Sequence, residues 1–301
     1  MQYKDLTKDQ KFFIKNIEKF AEHLNSIGDK ELYNLLKNQK NNLDTLLNEV
    51  AKVVLKYKVS NEYLSISTTE QLKVYSNLSK IIDELIEQEK RLEKNALGDL
   101  LVSIGNDKYY SNTFLLSLGT KTDIKKVNKT VLNKIINKTI NGKNYSDRYG
   151  INKSNVAKSL KYEVKQLLNG NSSINLIQDT LKKRYNVNAA WSKRLISNEI
   201  SRVQIEVNEQ WQKDNDIEWV MWSATLDEKT SLICQELDTK TWNTKESYPK
   251  PIENSHVGCR CCLISLPSAD YKPSSRLNNI TKENVEWQDY KNWYANYKDN
   301  E

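Results

Sequence analysis

The chain has 301 residues, 28% charged and 38% hydrophobic, with only eight glycines and four prolines. That length suits one large domain or two ordinary ones, and the balance excludes disordered and fibrous classes. No run reaches the roughly 18 apolar residues that a membrane span needs. The charged N-terminus, Met1–Phe13, lacks the apolar core of a secretion signal, so the chain is expected to mature in a reducing cytoplasm.

Net charge is +7, from 46 Lys and Arg against 39 Asp and Glu. This bias permits contact with nucleic acid or an acidic partner without demanding it. An Asn- and Lys-rich composition from an AT-rich genome explains it equally well.

Helical patterns fill the first two-thirds. Thr7 and Gln10 read as a capping box, and Phe12, Phe13, Ile17, Phe20 and Leu24 follow at helical spacing. Gly28 and Asp29 read as a stop, with a second helix from Glu31 to Tyr57. Thr68 and Gln71 open a third helix, carrying Leu72, Tyr75, Leu78, Ile82, Leu85 and Ile86. Further helices are expected near 107–118, 122–140, 152–168, 173–185 and 189–212. Gly170 followed by Ser173 reads as a stop and a new cap. A bundle is the default for such helices, with an extended arm over 1–105 as the alternative. His23 lies within a helical pattern and reads as an ordinary residue.

The composition then changes. All seven tryptophans, four cysteines and four prolines lie beyond residue 190. A polar break at 212–218 precedes β-rich stretches at 218–225, 240–243 and 261–266. The expected class is therefore α+β: helical residues 1–143, a core at 144–270 ending in a small β module at 213–270, and a tail at 271–301. A module this small often needs a metal or a disulfide.

The cysteines are Cys234, Cys259, Cys261 and Cys262, with His256 three residues before Cys259. A structural zinc site would use Cys234, His256, Cys259 and Cys261, a common closed donor set. Cys262 points to the opposite side of a strand from Cys259 and Cys261, which leaves it out. Disulfides are the second reading, with three pairings open. A Cys234–His256 catalytic pair is the third; it needs a low-pKa thiolate and an orienting group. Plain burial of small apolar thiols is the fourth.

Trp222, Asp227, Thr230, Cys234, Trp242, Pro251, His256, Cys259, Arg260 and Cys261 together resemble the motif of the phage Mu F-like family, the minor head or phage head morphogenesis proteins. Leu168, Gly170 and Ser172 are similar to a helix junction of that family, and Arg194, Glu199 and Arg202 to one of its helices. The resemblance covers about residues 145–267. Lys229, Ser231, Thr239 and Val257 depart from the pattern, standing where arginine, cysteine, glycine and proline are usual.

The resemblance implies a non-enzymatic, capsid-associated protein present in few copies, assembled in the bacterial host cytoplasm and carried in the virion. Portal and capsid proteins are the implied partners, with packaged DNA and its ejection as a further expectation. A different class of function is a zinc-stabilised nucleic-acid-binding protein.

Asp227 and Thr230 read either as a partner contact or as an Asp-based turn, the turn being preferred. Arg260 is expected to pair with Asp227 or Glu199, or to face solvent. In the tail, Trp287, Tyr290, Tyr294 and Tyr297 form an aromatic stripe at helical spacing. It reads as self-packing or as a dock for a capsid or portal partner.

Overall fold

In the computed structural model, the backbone is described over residues 8–117, 127–266 and 268–299, and side chains over 26–113, 127–266 and 268–298. The Thr7 cap, the Phe12–Leu24 face, the His23 side chain and part of the expected 122–140 helix lie outside those residues. The fold is α+β, with helices dominating the first two-thirds and small sheets following.

Helices α1 (Lys8–Lys56), α2 (Thr68–Ser117), α3 (Lys129–Ile136), α4 (Tyr145–Leu168) and α5 (Ile174–Asp214) form the helical part. Three expected breaks do not occur: α1 runs through Gly28, α2 through residue 107, and α5 through 185–189. Gly28 is a close-approach residue, since a Cβ there would run into Ile200. Gly105 plays the same part against Leu132. Packing thus overrides the weak stop signal of a lone glycine.

Two caps differ from or add to expectation. The α2 cap sits one residue before Thr68: Ser67 Oγ accepts from the Glu70 amide at 3.4 Å and donates to its carboxylate at 3.0 Å. Asn144 and Asp147 form a reciprocal capping box at α4. Gly170, with φ of +70°, ends α4 as its composition predicts.

The chain divides into two compact units, each assembled from separated stretches of sequence. One comprises Asp29–Asp99 and Asn137–Ile196. Its core gathers Leu46, Ile82, Leu160, Val164 and Leu181, with Leu64 from a small hairpin. That hairpin pairs β1 (Lys58–Ser60) with β2 (Tyr63–Ser65). Its two-residue turn, Asn61 and Glu62, has φ of 50° and 70°, the primed-turn signature. Within this unit the Lys153 ammonium contacts the Glu89 and Glu93 carboxylates, each at 2.8 Å, with all three side chains fully buried. Asn42 donates to Glu89, while Gln39 and the Tyr149 phenol donate to Glu93.

The other unit comprises Met1–Gly28, Leu100–Ile136 and Ser197–Glu301. Its sheet has β3 (Trp219–Ser223) at the centre, antiparallel to β4 (Thr241–Asn243) and β5 (Cys262–Leu266). Strand alternation sends Val220 and Trp222 to one face and Met221 to the other. Short helix α6 (Leu232–Leu237) follows β3, and strands β6 (Ser275–Leu277) and β7 (Asn284–Glu286) precede the last helix, α7 (Tyr290–Asp299). No helix among the described residues is long and apolar enough to cross a membrane.

Candidate metal centre

The Trp222 face of the sheet is where the cysteines meet. Trp222, Val220 and Leu263 pack in one apolar cluster with Cys234, Cys259 and Cys261. Cys234 comes from α6, whereas Cys259 and Cys261 come from the segment entering β5. Register explains the selection: Trp222 lies opposite Leu263, so Cys261 shares that face and Cys262 takes the other. Cys262 accordingly packs near Met221 and Ile264.

Three buried sulfurs, those of Cys234, Cys259 and Cys261, lie within 4.8 Å of one another. Cys234 Sγ is 3.6 Å from Cys259 Sγ and 3.4 Å from His256 Nε2. All four cysteines are free thiols, and 3.6 Å far exceeds the about 2.05 Å of a disulfide bond. Tetrahedral zinc with bonds of about 2.3 Å to sulfur and 2.0 Å to nitrogen spaces its ligand atoms at about 3.5–3.8 Å. The Cys234–Cys259 and Cys234–His256 separations match that spacing; the three sulfurs alone are all mutually within 4.8 Å, with His256 beside Cys234.

His256 is oriented by its other nitrogen. Nδ1 stands 3.1 Å from the Val257 carbonyl, which holds the Nδ1–H tautomer and turns the Nε2 lone pair toward Cys234. The next residues form a tight turn in which the Cys259 amide donates to the His256 carbonyl at 3.2 Å. Gly258 occupies its third position with φ of +79°, a conformation that demands glycine. Helix α5 holds this turn in place: Asn198 Oδ1 accepts from the Gly258 amide at 2.7 Å, and Ser201 donates to the Cys259 carbonyl at 3.3 Å.

The sulfurs share protons unequally. Hydrogen bonds from Cys234 and Cys261 hold the Cys259 thiol far below its ordinary range. Hydrogen bonding to Cys259 pushes Cys234 up, and hydrogen bonding to Cys234 and then Cys259 pushes Cys261 up. A divalent cation bound here would require the thiols to give up their protons.

Around this cluster the remaining motif residues bond to one another and to nearby backbone. Asp227 makes the expected turn: Oδ1 accepts from the Lys229 amide at 2.9 Å and the Thr230 hydroxyl at 3.2 Å. Thr230 also donates to the Thr225 carbonyl at 2.5 Å. Arg260 pairs with Asp227 at 2.5 Å, not with Glu199. Glu199 instead binds Arg202 at 2.9 Å, and Arg202 donates to the last carbonyls of α3, Ile135 and Ile136.

The aromatic stripe is largely internal. Tyr290 is buried and its phenol donates to the Asp227 carbonyl at 2.8 Å. Trp287 precedes α7 and lies under the Arg276 guanidinium, 4.9 Å from its ring centre. Tyr297 is half-buried and stacks on Trp293, which packs inward beside Tyr290. Only Tyr294 of the four remains exposed, stacked on Tyr290. The buried face is thus Tyr290, Trp293 and Tyr297, because α7 begins at Tyr290 and its phase follows from there.

Two structural residues went unread in the sequence. Asp238 accepts from the Ala224 and Tyr290 amides, each at 2.7 Å, and from Arg276 at 2.7 Å. Arg276 also donates to the Ala224 and Gln288 carbonyls. An Asp before a turn was a usable cue for Asp238; Arg276, 38 residues away from it, carries no local signal.

No curated protein and no solved structure shows significant similarity to the chain. Residues 149–264 match the family model described as Phage Mu protein F like protein, a stretch that contains Cys234, His256, Cys259 and Cys261.

Proposed function

We propose that the chain is a bacteriophage head morphogenesis protein, carried in few copies in the virion and bound to the portal or inner capsid. In this reading Cys234, His256, Cys259 and Cys261 hold a structural zinc ion. The observation that carries it is the convergence of the Mu F-like motif on three buried, mutually close sulfurs with His256 beside Cys234. Bound zinc would supply strong cross-links between α6 and β5 where the sheet has little apolar area to offer.

The role is taken as scaffolding and not catalysis. The Cys234 thiol, which faces His256, is fully buried and its pKa is raised, the wrong direction for a nucleophile, and the lowered Cys259 thiol is buried against the other sulfurs. His256 is oriented by a backbone carbonyl, as in structural metal sites, and no carboxylate completes a triad with it among the described residues. Contact with packaged DNA is supported only by the mild positive charge, and steeply salt-dependent binding would mark it.

Deleting the coding sequence from a phage that carries it, and analysing purified particles by mass spectrometry, tests the assignment. The expected result is the chain in intact virions below the copy number of the major capsid protein, and defective heads without it. Virions that lack the chain yet assemble and infect normally would refute it.

A further inference from the structure

Lys108 occupies a core position of α2 that its neighbours fill with Ile104 and Asn112, and only 4% of its surface is exposed. Ammonium groups are seldom buried without a counter-charge, because removing one from water costs several kcal/mol (roughly) even after relaxation. Among the described residues no carboxylate and no hydrogen-bond acceptor is paired with it. Burial accordingly pushes its pKa down, and among the described residues the opposing electrostatic contribution comes from the Cys262 sulfur.

The residue lines a cavity of about 30 Å³ together with Ser201, Gln204 and Asn208 of α5 and Arg260–Leu263 before and within β5. Ser201, Gln204 and Asn208 recur at helical spacing, so one face of α5 forms a wall. The Asn208 amide oxygen accepts from Asn112 at 2.9 Å, which leaves its NH₂ group as the donor available to the cavity. Arg260 is exposed and gives the cavity a side near solvent, its own charge being committed to Asp227. A volume of about 30 Å³ has room for a water or one monatomic ion.

We propose that this cavity is a halide-sized anion site, in which chloride rests against the Lys108 ammonium and the Asn208 amide. It adjoins the cysteine cluster, since Cys261 lines both, but draws its donors from α2 and α5: the anion supplies the charge that lets a lysine stand in the core, fastening α2 to α5 and the start of β5. The inference does not depend on the head-protein reading or on zinc.

Two measurements on the full chain test it. Crystals grown with bromide should show one anomalous peak in contact with Lys108 Nζ, present in wild type and in Cys262→Ser, absent in Lys108→Met. The melting temperature in sodium chloride should exceed that in sodium gluconate of equal ionic strength by about 3 °C, a difference that Lys108→Met abolishes. Should Lys108→Met fail to fold, the wild-type and Cys262→Ser peaks decide the matter alone. A cavity holding only water in wild type overturns the proposal, as does a bromide peak or a chloride effect that survives in Lys108→Met. Loss of the peak in Cys262→Ser overturns it too, since the sulfur would then be the required partner.

Discussion

Cys234 Sγ and His256 Nε2 stand 3.4 Å apart although 22 residues separate them in the chain. The contact closes α6 onto the turn before β5, and two more sulfurs complete the group. Cys262, one residue further on, is excluded by strand alternation. Cys234→Ser should therefore abolish metal retention and lower the melting temperature of the chain, whereas Cys262→Ser should do neither. Metal analysis with thermal unfolding checks both, and equal effects of the two substitutions would show that the cluster is not selective.

Thr239 has φ of +64°, a left-handed conformation unfavourable for a β-branched residue. Its amide donates to the Trp222 carbonyl at 2.9 Å, so the sheet edge holds it there. Glycine, usual at this point of the Mu F-like pattern, removes the strain. Thr239→Gly should stabilise the chain by about 1 kcal/mol, read as a higher denaturation midpoint with unchanged m-value. A destabilisation would mean that the threonine side chain contributes more than its backbone strain costs.

Asp238 and Arg276 form a pair with both side chains essentially buried, and Asp238 also anchors the first amide of α7. Arg276→Met leaves a buried carboxylate without its charge partner and should cost about 3–5 kcal/mol. Limited proteolysis should then cut near residue 289 faster than in wild type. A loss below about 1 kcal/mol would show that water replaces the arginine at no great penalty.

One buried ammonium, Lys153, faces two buried carboxylates, Glu89 and Glu93. Burial raises the Glu93 pKa, with Lys153 opposing. The unfolded chain then releases this proton at the ordinary carboxylate pKa while the native chain still holds it. Stability from this group is thus full below the ordinary value and falls as pH rises toward the native one. Glu93→Gln should flatten that fall, which amounts to at most about 1.4 kcal/mol per pH unit. Urea unfolding of both proteins between pH 4 and 8 (roughly the carboxylate-to-neutral range) gives the difference directly, and parallel curves would contradict the raised pKa.

What could be read beforehand follows the range of the interactions involved. Strands β3, β4 and β5 and the ends at Gly170 and Ser173 depend on neighbouring residues, and composition announced them. The Asp227 turn was legible for the same reason. Gly28 and Gly105 misled because their purpose is contact with Ile200 and Leu132, far along the chain. The β1–β2 turn was missed because Asn61-Glu62 lacks the glycine that usually marks it. Cys262 could be set aside by parity alone, but the Arg276–Asp238 pair and Lys108 could not, since nothing near them in sequence shows what they face. The tail's aromatics were visible, yet their phase depended on where α7 starts.

The zinc-cluster claim is tested most directly by metal content, measured by plasma mass spectrometry on full-length protein purified without chelator, alongside a thiol count under denaturing conditions. The account predicts one zinc per chain, four titratable thiols after its removal, and unfolding at lower temperature once a chelator has stripped it. Protein that is folded, metal-free and indifferent to chelator would contradict it, whether its cysteines were reduced or oxidised.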